Sequence, residues 1–379
     1  MIHGVAAFLL SAAASAQQSA PARPLPFGEA GWELKGEAAV ETFDGRETLR
    51  VDTGWAYRRD VRLEDGTIEM DVQLTRRRSF VYLAFRMADD REYEEVYLRP
   101  HKPDLPDALQ YAPVYQGQSA WQLYHGPGGT AAVPFEPGAW THVRLVLQGR
   151  RAALYVGGGQ KPALVVPRLG HVPRAGYIAL RAFLPAGVTG SGPIARYSNV
   201  VVRPGVVPVD LAALPAPPPA PEPGAFGAWA VSNAIPALAD EGTPLRPEDA
   251  AVGAYRRVET LPGGLLELHR VVQAPEGSRE MTAAARVRIH AERPGRRPLD
   301  LGFSDRATVF LNGEPLFRGE ASYSYAGRRE GLIGYEQARL YLPLRAGENE
   351  LLVVVSDSFG GMGLMGRFAD PAGLVVEAR

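Results

Sequence analysis

Five side chains with chemical capability fall at every second position of the stretch REYEEVYLRPH (91–101): Tyr93, Glu95, Tyr97, Arg99 and His101. Alternate side chains of a strand point to opposite faces. These five therefore share one face and leave Glu94, Val96, Leu98 and Pro100 on the other. Phenol rings can stack on the apolar faces of sugar rings, and the charged groups supply donors and acceptors for sugar hydroxyls. The segment SFVYLAFRM (79–87) has the same split, so Tyr82 and Arg86 are expected to widen the platform. Further on, DALQYAPVYQGQSAWQLYHGPGG (107–129) has few charges and many aromatics and amides. Its ligand-lining candidates are Gln110, Tyr111, Trp121, Gln122 and His125. The competing reading is an ordinary solvated sheet face beside a loop packed by its own aromatics. The Thr, Lys, Glu and Ser usual on such a face are scarce here, which favours a groove.

Catalysis is the weaker expectation. Glu95 with His101 on one face can do acid–base work, but an ion-pair network of Glu95 and Arg99 that shapes the groove is preferred. Glu94 and Glu95 are adjacent and point apart, so they cannot form the carboxyl pair, about 5–10 Å apart, that glycoside hydrolysis needs. No H-x-H or H-E-x-x-H spacing marks a metal site, and no G-x-S-x-G elbow marks a serine nucleophile. The chain has no cysteine, which removes disulfides, thiolate ligands and cysteine nucleophiles together. No cofactor is called for, and the sequence leaves turnover undecided.

The elements that must hold these residues are short segments of period two between Gly, Pro and Asp turns, among them 66–74, 140–148, 151–157, 176–183 and 195–203. Such spacing predicts an all-β fold. Residues 28–204 are expected to form one β-sandwich domain. The stretch 205–224, ending in LPAPPPAPEPG (214–224), is expected to be a Pro-rich linker. Residues 225–379 are expected to form a second, jelly-roll sandwich, with strands at 263–272, 284–292, 297–304, 306–317, 338–344 and 349–357 and a hairpin turn at Asn312-Gly313. The 379 residues carry 41 basic and 42 acidic side chains, a balance that predicts no nucleic-acid partner. The start, MIHGVAAFLLSAAASAQQSA, reads as a signal peptide over residues 1–16 with an A-x-A cleavage pattern, although no Lys or Arg precedes its apolar run. No stretch is long and apolar enough for a membrane span.

The first part resembles the concanavalin A-like lectin/glucanase sandwiches. The resemblance rests on LEDGTIEMDVQL (63–74), SFVYLAFRM (79–87), EPGAWTHVRLVLQGRRAALYV (136–156) and GYIALRAF (176–183). It implies a curved sheet whose concave face receives glycan, and it leaves calcium held by loop oxygens as the one ion to consider. The glucanase branch carries E-x-D-x-x-E. Here Glu69-Met70-Asp71 starts the motif and Leu74 breaks it, so hydrolysis is not assigned from it. The 3-keto-disaccharide hydrolase domains of the same superfamily share similar strands at Ile68–Leu74 and Val81–Arg86.

The second part resembles the galactose-binding-like jelly roll found as the sugar-binding domain of family 2 glycoside hydrolases. It does so through ATVFLNGEPLF (307–317) and LPLRAGENELLVVVSD (342–357). Within SFGGMGLMGRF (358–368), glycines 360, 361 and 363 suggest a tight turn or close backbone approach, and Met362, Leu364, Met365 and Phe368 suggest packing. Tyr323, Tyr325 and Arg328-Arg329 suggest a loop at the sandwich end. Together these readings give an exported, periplasmic or extracellular carbohydrate-binding protein. The alternatives are a glycoside hydrolase or lyase, and a structural module whose tyrosine-rich face docks another protein.

Overall fold

The computed structural model describes residues 23–28, 31–189, 192–215, 222–235, 246–250, 254–276, 278, 280–325 and 330–379. The expected signal peptide, most of the Pro-rich run and Arg328-Arg329 lie outside the described residues.

The chain is an all-β sandwich protein built from curled antiparallel sheets. The first sheet runs, in spatial order, through Arg151–Val156, Trp140–Gln148, Gly66–Leu74, Ala195–Pro204, Arg46–Leu63, Gly176–Phe183, Phe80–Met87, Tyr93–Leu98 and Leu109–Tyr115. Its two ends meet in one core. Leu145, Leu147 and Leu154 from one end pack in the same cluster as Val96, Leu98 and Tyr111 from the other. The strand Arg46–Leu63 makes this closure possible. Its first half pairs with Ala195–Tyr197 and its second half with Gly176–Ala182, so it passes from one layer to the other. Leu49 and Val51 face the core on odd positions and Ala56 on an even one, so the alternation reverses where the strand crosses over.

Residues 225–377 form two further sheets. Ala285, Val287, Val353 and Val355 on one pack against Leu299, Leu301, Leu342 and Phe368 on the other in a separate cluster. The hairpin expected at Asn312-Gly313 joins Arg306–Leu311 to Glu314–Glu320, with both turn residues at positive φ of 53° and 83°, as a tight hairpin turn requires. The expected strand at 263–272 is shorter. Leu265–Glu267 is extended and Leu268–Val271 is a turn of helix.

Residues 205–215 are not a free spacer. Leu211 is buried against Val146, Ala153 and Tyr155, its N–H donates to Gln148 Oε1 at 2.7 Å, and Thr67 Oγ1 donates to the Val206 carbonyl. A proline-rich composition sets backbone stiffness; it does not prevent an apolar residue beside it from docking. Among the described residues no helix is long and apolar enough to cross a membrane.

Candidate binding groove

The strand Tyr93–Leu98 puts Tyr93, Glu95 and Tyr97 on the face turned away from the sandwich core, while Val96 and Leu98 enter the core. The pairing then builds two rows. Trp55, Arg181, Tyr82, Tyr97 and Gln110 stand side by side on five neighbouring strands. One rung along stand Tyr57, Ala179, Ala84, Glu95 and Ala112. Two alanines, Ala84 and Ala112, thus flank Glu95, with Ala179 one strand beyond, and the bulky rings of the adjoining row rise beside it. The centre of this face is buried and its margin, at Trp55, Phe80, His101 and Trp121, is partly open, with Phe183 exposed. This gradient, from a buried centre to a partly open rim, makes the face the candidate groove.

Glu95 is 1% exposed. Ser119 Oγ donates to its Oε1 at 2.6 Å, and its Oε2 has no hydrogen-bond partner within the protein. Burial raises the carboxyl's pKa, partly opposed by the positive charge of Arg181. The Arg181 guanidinium lies over the rings of Trp55 and Tyr82, at 4.7 and 4.8 Å from their centroids. It makes no hydrogen bond to any described residue, nor do the hydroxyls of Tyr82 and Tyr93. This face therefore holds a buried acceptor, a fork of donors and two phenols without a hydrogen-bond partner among the described residues.

Tyr97, Arg99 and Gln110 do a different job. Tyr97 donates to Gln110 Oε1 at 2.8 Å, and Arg99 Nη2 donates to the same oxygen at 2.5 Å. Gln110 Nε2 donates to the Trp121 and Tyr124 carbonyls at 2.7 Å each. This network fixes one wall. The strand ends at Leu98 rather than running on to His101: the Arg99 N–H still donates in register to the Ala108 carbonyl, but Pro100 has no N–H to carry the ladder further. Arg99 and His101 nonetheless stay beside the platform. His101 packs its ring 5.9 Å from Phe80, and burial with the nearby Lys102 and Arg99 charges lowers its pKa. The expected Glu95–Arg99 ion pair does not form; Arg99 turns to Asp107, donating to its carbonyl.

Four expected lining residues are elsewhere. Arg86 has a φ of 49° at a register shift, which reverses the alternation. Met87 joins the groove side with Ala84 and Tyr93, and Arg86 turns to the Glu64 carbonyl and Asp65. Tyr111 pairs with Val96 and points into the core, donating to Glu94 Oε2 at 2.7 Å. Gln122 is buried in the seam with the second part, donating to the Glu330 carbonyl and accepting from Ser304 Oγ. His125 bonds the Ile333 carbonyl in the same seam. The amide-rich stretch 115–125 is therefore largely an internal interface. Gln116 bonds three backbone groups of residues 269–274, and Tyr124 donates to Glu267.

Trp55, Tyr57 and Arg181 share this face and were not among the residues expected from the sequence. Their signal was present: Trp55, Tyr57 and Arg59 in GWAYRR (54–59), and Tyr177, Arg181 and Phe183 in YIALRAF (177–183), place rings and cations in the same period of two as Tyr93–Arg99. Glu69 and Asp71, the start of the broken glucanase motif, are on the opposite layer. They bond Arg203, and His142 and Asn199, respectively. Among the described residues no three His, Asp or Glu side chains are grouped to hold a metal ion.

The architecture is thus a curled antiparallel β-sandwich with an aromatic, charged outer face. Similar solved structures include the carbohydrate binding module CBM66 from Bacillus subtilis, at 17% identity and a TM-score of 0.34, covering 45% of this chain and 94% of that one. A beta-glucanase from Bacillus licheniformis is similar at 13% identity and a TM-score of 0.37, over 48% and 97% of the two chains. A prokaryotic beta-1,3-1,4-glucanase (lichenase) derived from a mouse hindgut metagenome is similar at 10% identity and a TM-score of 0.38, over 48% and 98%. No family model matches the chain, and no curated protein matches it.

Proposed function

We propose that this is an exported carbohydrate-binding protein whose groove over Glu95 receives a glycan. In this reading residues 28–204 are the binding domain, and the second, galactose-binding-like sandwich is accessory to it. One observation carries the reading: a buried carboxylate oxygen without a partner stands in the same groove as a guanidinium without an acceptor. Leaving the buried carboxylate oxygen unpaired costs about 1–3 kcal/mol, while the partly exposed guanidinium is open to an acceptor from outside. Neighbouring sugar hydroxyls, each both donor and acceptor, satisfy the two at once, while the Trp55, Tyr82 and Tyr93 rings supply apolar contact.

Binding is favoured over hydrolysis because the groove floor named above includes one carboxylate. The two-carboxyl arrangement of glycoside hydrolysis needs a second within about 10 Å, and Glu69 and Asp71 are committed to the other layer. A thermal-shift screen of the full chain against neutral and acidic glycans tests the proposal. A ligand at a hundred times its Kd adds about 2.7 kcal/mol of stability, which gives a clear rise in Tm. A screen in which no glycan raises Tm overturns it.

A further inference from the structure

Beyond the groove, the seam between the two parts displays apolar rings at a cost. Trp121, Tyr323 and Phe359 lie 5.9, 5.9 and 6.0 Å from one another, ring centre to ring centre. Phe359 is 54% exposed and Tyr323 38% exposed. Backbone hydrogen bonds hold the Phe359 segment on both sides. Ser358, before Phe359, donates its N–H to Asp305 Oδ2 at 3.1 Å, and the Gly360 carbonyl after it accepts from the Gln122 N–H at 3.0 Å. Gly360 and Gly361 have φ of 95° and 109°, and a Cβ on either would collide with Gln122 or Ala120. The glycines thus let the second part press close enough to set Phe359 against Trp121. Tyr323 is fixed from the other side, its hydroxyl accepting from Arg78 Nη2 at 2.9 Å.

The ring cluster is also tied to the groove. Gln110, whose side-chain oxygen takes the Tyr97 hydroxyl, holds the Trp121 carbonyl with its amide. Arg78 is two residues from Phe80, which touches both Tyr97 and His101. An exposed aromatic patch marks an interaction site, and one tied to the groove wall is where the next units of a chain entering the groove would lie. We infer that Trp121, Tyr323 and Phe359 form an outer subsite for the same glycan, so that the second part contributes two rings and the protein selects longer oligosaccharides over disaccharides. The inference rests on the groove reading above.

The test uses the full chain and four ladders of defined length: cello-, laminari-, xylo- and manno-oligosaccharides, each as disaccharide and hexasaccharide. For the series that binds, the hexasaccharide is expected to bind at least about tenfold more tightly than the disaccharide. The double variant Tyr323→Ala/Phe359→Ala, at two exposed positions, is expected to remove that ratio and leave the disaccharide Kd unchanged. Circular dichroism and Tm confirm that the variant is folded. A double variant that keeps the preference, or a wild type that binds both lengths equally, overturns the subsite and leaves the groove standing. A wild type that binds none of the four neutral series overturns the subsite as stated here, and the groove reading falls with it only when the acidic glycans of the thermal-shift screen fail as well.

Discussion

Ser119 Oγ holds one oxygen of Glu95 at 2.6 Å and leaves the other without a protein partner. The hydroxyl fixes the carboxyl's orientation without using its full capacity. Replacing Ser119 by Ala frees the carboxyl to rotate. Glycan affinity is expected to fall about threefold to tenfold while the fold survives, which calorimetric titration measures.

The same carboxylate sets function against stability. Burial raises the Glu95 pKa, so its proton is bound more tightly in the folded state. The folded state is then favoured below the unfolded pKa, and that advantage is lost as pH rises toward the folded value. Glu95→Gln carries no such dependence. The variant is expected to gain Tm relative to wild type as pH is raised from about 4 to 8 while losing glycan affinity. A variant that loses Tm at high pH would contradict this account of the site.

Glu94 points the other way and gives an independent control. It accepts from Tyr111 Oη and from the His171 N–H, and burial pushes its pKa up to about 7. By the same sign, its contribution falls between about pH 4.5 and 7, by on the order of 3 kcal/mol at 1.36 kcal/mol per pKa unit. Glu94→Gln is expected to change the pH dependence of denaturant unfolding over that interval and to leave glycan binding untouched.

Arg181 separates cation chemistry from bulk. Its guanidinium lies against Trp55, Tyr82 and Phe183. Arg181→Ala is expected to weaken binding about tenfold or more, roughly 1.4 kcal/mol. Arg181→Lys is expected not to restore it, because an ammonium lacks the planar fork and stacks poorly. Val96→Ala, one rung away on the core side, is expected to lower Tm and leave Kd unchanged.

Much of this was legible in the sequence. Strict alternation fixed the strands Gly66–Leu74, Trp140–Gln148 and Gly176–Phe183 to the residue, and it put Tyr93, Glu95 and Tyr97 on one face because nothing interrupts the period there. It failed at Arg86, where a single residue at positive φ reverses the sides, and no pattern of residue types announces that. It failed again at Tyr111 and Gln122. A polar, aromatic stretch looks the same whether it lines a ligand site or a seam between two sheets, and only the long-range partners at Glu94, Ser304 and Glu330 tell them apart.

The most direct test of the central claim is a paired calorimetric titration of wild type and Glu95→Gln with the glycan that most raises wild-type Tm. The account predicts one site per chain and a loss of at least about tenfold in affinity in the variant. Equal affinities for the two proteins would contradict it.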